Sequence, residues 1–284
     1  MTSYPVADLE GIEIQVDIEY GKAGTNGRAL RLDLLRPAGS QDQRLPCVVF
    51  IHGGAWRTGS RLHGRELHIA QLARRGFALA CVEYRLSQEA LFPAQIQDCK
   101  CAVRFLRAQA NALHIDTRSL GAIGPSAGGH LVALLGTSAG INELEGDGGW
   151  AGFDSSVQAV VDFFGPSNFL AMGGTHNDAD SPESQLLGGK ITDFPLRVRA
   201  ADPITYIRPG HLPPFLIIHG DQDFTVPIYQ SELLHAALKK AGGDSTFVRV
   251  LGGGHGRFTE ENDPPNSQIF EMTYQFFERW VKEG

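Results

Sequence analysis

The chain has 284 residues and carries 25 Lys and Arg against 32 Asp and Glu, a formal net charge of −7 at pH 7. This acidic balance argues against binding to nucleic acid, which requires a concentrated basic face, so we expect no nucleic-acid partner. A chain of this length can bury a core without disulfide bonds, and α/β folds of this size often form one domain.

The sequence shows no feature of a membrane protein or of an exported one. It contains no run of about 18 apolar residues that could cross a bilayer. Residues 1–8 lack the basic and apolar segments of a signal peptide. The cysteines lack the spacing of zinc ligands and are expected to be buried free thiols; they are Cys47, Cys81, Cys99 and Cys101. We therefore predict a cytoplasmic protein that does not bind membranes, and we leave a homodimer open.

The first predicted element is an antiparallel hairpin, because residues 12–20 and 29–35 alternate apolar and polar side chains around glycines. From residue 45 onward the strands become continuous apolar runs, which are typical of strands buried on both faces of a parallel sheet. These runs cover residues 45–52, 77–84, 120–123, 157–164, 215–219 and 247–251.

Helical patterns separate these strands at residues 64–75, 94–113, 128–139, 228–241 and 267–282. Strands that alternate with helices predict an α/β fold with a mostly parallel central sheet and helices on both faces. Residues 165–210 interrupt the alternation with two Gly pairs and several prolines, and they are too long for an ordinary loop. We predict that they form a small lid or cap insertion within a single domain spanning residues 1–284.

A serine motif lies between a predicted strand and a predicted helix. Residues 124–128 read Gly-Pro-Ser-Ala-Gly and fit the pattern G-x-S-x-G. In this pattern the glycines permit a sharp, strained turn that exposes the serine as a nucleophile. The alternative is a serine that only caps the helix. The position between strand and helix favours Ser126 as the nucleophile, with the N–H of Ala127 as a donor to the developing oxyanion.

A second glycine motif, His52-Gly53-Gly54-Ala55-Trp56, follows the first buried strand. Its glycines let backbone N–H groups approach a ligand closely, as an oxyanion hole requires. Trp56 stands beside these donors. We predict that it forms a wall of the substrate pocket, with burial in the core as the alternative.

A general base and an acid are predicted on two later loops. His255 lies among four glycines directly after the last apolar strand, at the sheet edge where α/β sites form. Asp223 follows strand 215–219, and Asp162 in an earlier strand is the rival acid. His130 and His219 are expected to make structural hydrogen bonds rather than to catalyse.

These motifs, in the order Ser126, Asp223, His255, resemble the α/β-hydrolase superfamily over about residues 28–282. Within it they look like the hormone-sensitive-lipase-like carboxylesterases, and more like the branch of bifunctional feruloyl and acetyl-xylan esterases. The resemblance implies an α/β-hydrolase fold, Asp223 as the acid, and Gly54, Ala55 and Ala127 as oxyanion-hole donors.

The predicted function is serine-dependent hydrolysis of small-molecule carboxylic esters through an acyl-enzyme, with short-chain acyl, phenolic or acetyl esters as substrates and with no cofactor or metal. The main alternative is an amide hydrolase of the arylformamidase or peptidase kind that uses the same residues. A non-catalytic binding member of the fold is a further alternative, which the presence of all three residues disfavours.

Overall fold

A computed structural model describes residues 9–24, 27–65 and 67–283. The prediction that residues 1–8 are no signal peptide lies outside the described residues. Within the described ranges, no helix has the length and apolar character needed to cross a membrane. All four cysteines are buried and free, whereas the cytoplasmic location stays a prediction.

An eight-stranded sheet forms the centre of the described chain. Its strands are β1 (Ile12–Lys22), β2 (Ala29–Pro37), β3 (Leu45–Ile51), β4 (Ala78–Val82), β5 (Ile115–Pro125), β6 (Ala159–Phe163), β7 (Phe215–Gly220) and β8 (Ser245–Val250). Their spatial order is β1-β2-β4-β3-β5-β6-β7-β8. Strand β2 pairs antiparallel with both β1 and β4, and the other neighbours are parallel. The predicted hairpin and mostly parallel sheet are confirmed.

Helices connect the strands. The α-helices are α1 (Gln71–Arg74), α2 (Ala94–Ala108), α3 (Ala127–Thr137), α4 (Asn142–Glu145), α5 (Phe169–Met172), α6 (Pro182–Leu187), α7 (Pro195–Ala201), α8 (Tyr229–Lys240) and α9 (Asn266–Phe277). A π-helix, Glu278–Lys282, continues α9. The predicted helix 64–75 is wrong in its extent. The structure has two 3₁₀ turns there, Arg61–Arg65 and Leu67–Ala70, followed by the single turn α1.

The sheet is buried on both faces, as the apolar runs predict. Along β3, Val49 and Ile51 join the core under α2, α3 and α8, whereas Val48 and Phe50 join the core under α1 and α9. This alternation is the two-residue period of a strand covered by helices on both sides.

The segment between β6 and β7 contains α5, α6, α7 and three short 3₁₀ turns, namely Gly174–Asn177, Ile191–Asp193 and Pro203–Tyr206. It packs inward through buried side chains such as Leu186, Ile191 and Val198. Residues 165–210 are therefore a folded insertion. Their action as a lid stays a prediction.

Candidate active site

Ser126 occupies a sharp turn between β5 and α3. Its backbone has φ 56° and ψ −120°, a left-handed conformation that is strained for any residue other than glycine. Added Cβ atoms at Gly124 and Gly128 would lie 2.7 Å and 2.1 Å from the carbonyl oxygen of Ile51, so only glycine fits on either side. The Ser126 side chain makes no hydrogen bond that caps α3, so its hydroxyl is available to other partners.

The structure brings Ser126 together with the two other residues predicted to work with it. Nε2 of His255 lies 3.0 Å from Oγ of Ser126. Nδ1 of His255 lies 2.6 Å from Oδ2 of Asp223. Because the carboxylate can only accept, His255 donates from Nδ1, and Nε2 is left to accept the serine proton. The three residues follow the ends of three parallel strands, β5, β7 and β8, which meet at one edge of the sheet.

The Asp223 carboxylate is buried, and hydrogen-bond donors contact both of its oxygens. Its Oδ1 accepts the N–H groups of Thr225 and Val226, each at 2.8 Å. Nε2 of His219 lies 3.2 Å from Oδ2, and the histidine is fixed by Ser231 on its other nitrogen. Burial by itself would raise the pKa of Asp223, but the hydrogen bonds from His219 and His255 hold that pKa well below its usual range. Asp223 is therefore ionised at neutral pH.

The rival carboxylate, Asp162, has a different environment. Its Oδ1 accepts the N–H of Gly165 at 2.9 Å, and its Oδ2 is buried without a partner among the described residues. Burial raises the pKa of Asp162 to about 7. None of its described hydrogen bonds reaches a histidine, so the geometry favours Asp223 over Asp162 as the partner of His255.

The loop after β3 lies against the serine turn. An added Cβ at Gly53 would lie 2.8 Å from the carbonyl oxygen of Pro125. The next residues take left-handed backbone conformations, with φ 110° at Gly54 and 53° at Ala55. Among the described residues no hydrogen bond engages the N–H groups of Gly54 and Ala55. The N–H of Ala127 stands at the first position of α3, where helices leave N–H groups free.

Trp56 differs from its prediction. The indole is only 2% exposed, so it offers a substrate almost no surface and the prediction of a pocket wall is wrong. Its N–H donates to Nδ1 of His130 at 3.2 Å, and Nε2 of His130 donates to the carbonyl of Ala201. Burial lowers the pKa of His130 to about 4, so the ring is neutral and can both accept and donate. Trp56 thus ties the loop to α3 and α7.

The last residue of β6 contacts the serine and the turn after it contacts the histidine, and no sequence pattern indicates this. The carbonyl of Phe163 accepts the N–H of Ser126 at 2.8 Å. Phe164 has φ 44°, and its ring centroid lies 4.7 Å from that of His255. The bond from Gly165 to Asp162 closes this strained turn. Backbone strain in a turn that adjoins Ser126 and His255 is typical of a functional site.

A solvent-open cleft of about 500 Å³ adjoins His255. It is lined by Gln222, Phe224, Thr225, Gly254, His255, Gly256 and Arg257. In the part of the chain that the structure describes, no cluster of three or more His, Cys, Asp or Glu side chains could hold a metal ion.

The fold and the serine turn define an α/β-hydrolase. Residues 32–238 match the BD-FAE family model, and residues 194–284 match that of the prolyl oligopeptidase family. The chain belongs to the BD-FAE family. The predicted superfamily and esterase branch are thereby confirmed.

Curated relatives are named esterases. Esterase LipC of Mycobacterium tuberculosis is 30% identical over 242 residues, which are 79% of this chain and 56% of LipC. The isoprenylcysteine alpha-carbonyl methylesterase ICME of Arabidopsis thaliana is 27% identical over 249 residues, 86% of this chain and 56% of ICME. The chain spans little more than half the length of these relatives.

Solved structures match the whole fold. A truncated carbohydrate esterase from gut microbiota has a TM-score of 0.87 and 32% identity, covering 98% of this chain and 99% of that one. Esterase Est2 of Thermogutta terrifontis has a TM-score of 0.74 and 28% identity, covering 96% and 93%. These relatives and solved structures are named esterases, which is the class of enzyme that the sequence predicts for this chain.

We expect Phe164→Leu to lower kcat on p-nitrophenyl acetate by roughly two- to ten-fold with KM unchanged, because an aromatic contact of about 0.5–1.5 kcal/mol holds the His255 ring. Phe163→Leu is the matched control, since its ring contacts Phe164 and Phe270 instead of the histidine. Steady-state kinetics and thermal unfolding of both variants test this. Equal losses of stability with kcat unchanged in both would contradict it.

Proposed function

We propose that the protein hydrolyses carboxylic esters through an acyl-enzyme on Ser126. The observation that carries the proposal is the continuous chain of hydrogen bonds from Ser126 through His255 to Asp223, with heavy-atom distances of 3.0 Å and 2.6 Å. Its placement on a left-handed strand-to-helix turn in a chain of an esterase-rich family supports the same function.

In the proposed reaction Oγ of Ser126 attacks the ester carbonyl while Nε2 of His255 takes its proton. Asp223 holds the histidine in the required tautomer and stabilises the imidazolium. His255 then gives the proton to the leaving alcohol, and a water molecule repeats the cycle on the acyl-enzyme.

The oxyanion that forms in each half-reaction is proposed to bind to the N–H groups of Gly54, Ala55 and Ala127. Within the described ranges these groups have no backbone hydrogen-bond partner, and they lie on the two segments that meet at Ser126. Each donor contributes about 3 kcal/mol to lowering the barrier, because it is fixed before the charge develops.

Short acyl groups are the proposed substrates. The residue next to the oxyanion-hole glycines is the small Ala55, which offers a long alkyl chain little apolar surface. Solved structures of Est2, which this chain resembles, hold propionate and butyrate. The phenolic and acetyl esters of the feruloyl and acetyl-xylan branch belong to the same proposal.

Amide hydrolysis is a second candidate, and the match of residues 194–284 to the prolyl oligopeptidase family favours it. It uses the same three residues, because a histidine that protonates an alcohol can also protonate an amine. N-formylkynurenine beside methyl ferulate and acetylated xylan in one assay panel distinguishes the two functions.

We expect Ser126→Ala and His255→Ala each to lower kcat by at least about 10³-fold, because the residues act as a unit. Asp223→Asn should be nearly as damaging, since it disturbs the histidine tautomer. Asp162→Asn should have a mild effect. Steady-state kinetics on p-nitrophenyl acetate, with circular dichroism to verify folding, test this. A reversed ranking of the two aspartates would move the acid to Asp162, and substantial activity in Ser126→Ala would refute the mechanism.

For acyl length, we expect kcat/KM on p-nitrophenyl esters to peak at about C2–C4 and to fall at least about 10-fold by C10, because each methylene without an apolar wall forfeits about 0.8 kcal/mol. Rates measured from acetate to decanoate, with Ser126→Ala as the blank, test this. A peak at C10 would instead show a deep apolar pocket.

A further inference from the structure

The cleft beside His255 presents two side chains that the proposed mechanism does not use. Phe224 follows Asp223 directly and is 91% exposed. Arg257 lies two residues after His255 and is also exposed. Both side chains line the cleft. Phe224 thus exposes a large ring next to Asp223, and Arg257 places a positive charge next to His255. The reaction proposed for Ser126, His255 and Asp223 requires neither side chain.

Backbone hydrogen bonds fix the two loops that carry these side chains. The hydrogen bonds from Thr225 and Val226 to Oδ1 of Asp223 fix the turn that presents Phe224. On the histidine loop, Gly254 and Arg257 exchange two backbone hydrogen bonds, with N···O distances of 3.4 Å and 3.3 Å. The ring and the cation therefore stand on the same two loops that position Asp223 and His255.

The charge in the cleft is opposite in sign to that of the chain. The chain carries a net charge of −7, yet among the described residues no Asp or Glu lines the cleft, and Arg257 is the one permanently charged side chain that does. Among the described residues no ion pair or side-chain hydrogen bond engages the Arg257 guanidinium. An uncommitted guanidinium at a cleft attracts an anionic group and pairs well with the oxygens of a carboxylate or phosphate.

We propose that this cleft is the subsite for the alcohol part of the ester, and that it selects a flat ring bearing a carboxylate or phosphate. Phe224 stacks on the ring and Arg257 pairs with the anion. The alcohol side is assigned because His255, which lines the cleft, must reach the leaving oxygen. The oxyanion donors instead come from the loop after β3 and from the start of α3. The inference rests on the proposed ester hydrolysis.

Two acetate esters of equal size test the subsite: 4-acetoxybenzoate, whose leaving group is anionic, and 4-acetoxybenzamide, its neutral counterpart. We expect Arg257→Gln to lower the ratio of kcat/KM, anionic over neutral, by roughly three- to five-fold, the upper part of the range of an exposed charge pair. Most of the change should be in KM. Arg257→Lys keeps the charge and should keep most of the ratio. Phe224→Ala should raise KM for both esters.

The control variant is Arg279→Gln, which removes an exposed arginine that stacks on Trp280 outside the cleft. It should leave the ratio unchanged. Raising the salt to about 1 M should lower the wild-type ratio toward that of Arg257→Gln, because screening weakens an exposed pair.

Two results would overturn the subsite: a ratio that is equal in the wild type and Arg257→Gln, or one that falls equally in Arg279→Gln. If the wild type cleaves both probes, either result refutes the subsite alone. If it cleaves neither those probes nor p-nitrophenyl acetate, the proposed ester hydrolysis fails together with the subsite.

Discussion

The rest of the site depends on the left-handed turn at Ser126. A φ of 56° at a residue with a side chain costs free energy, and the surroundings must hold it. They do so through the N–H of Ser126, which donates to the carbonyl of Phe163, and through the close approach of Gly128 to the carbonyl of Ile51. These contacts fix the turn between β3 and β6, the two strands that flank β5 in the sheet.

The parallel strands explain why residues far apart in the chain converge on this turn. Each of β3, β5, β6, β7 and β8 delivers its following loop to the same edge. The loop after β6 places the Phe164 ring on His255, and the loop after β7 surrounds Asp223 with donors. The loop's donors are backbone N–H groups, and the ring of His219, which lies in β7 and is fixed by Ser231 and Val226, adds a further contact to the carboxylate. Because the donors are held in position, the Asp223 carboxylate stays charged although it is buried.

The sequence was enough to predict that Ser126, Asp223 and His255 come together, because each stands in a local signal, a glycine-flanked turn or a loop directly after an apolar run. It was not enough for Trp56, because its partner His130 is distant in the chain and only the folded structure shows the indole buried. Nor could it reveal the positive φ of Phe164, which depends on tertiary contacts. The helix predicted at 64–75 is reduced to short turns, since apolar spacing alone does not fix the type of helix.

The central claim is that Ser126 is the nucleophile, and covalent trapping tests it most directly. The protein is incubated with paraoxon, and the intact mass and the modified peptide are measured by mass spectrometry. The account predicts one diethylphosphoryl group per chain, located on Ser126 and lost in Ser126→Ala, because only a serine activated by a neighbouring histidine reacts readily. A modification on another residue, or an equal one in Ser126→Ala, would contradict the account.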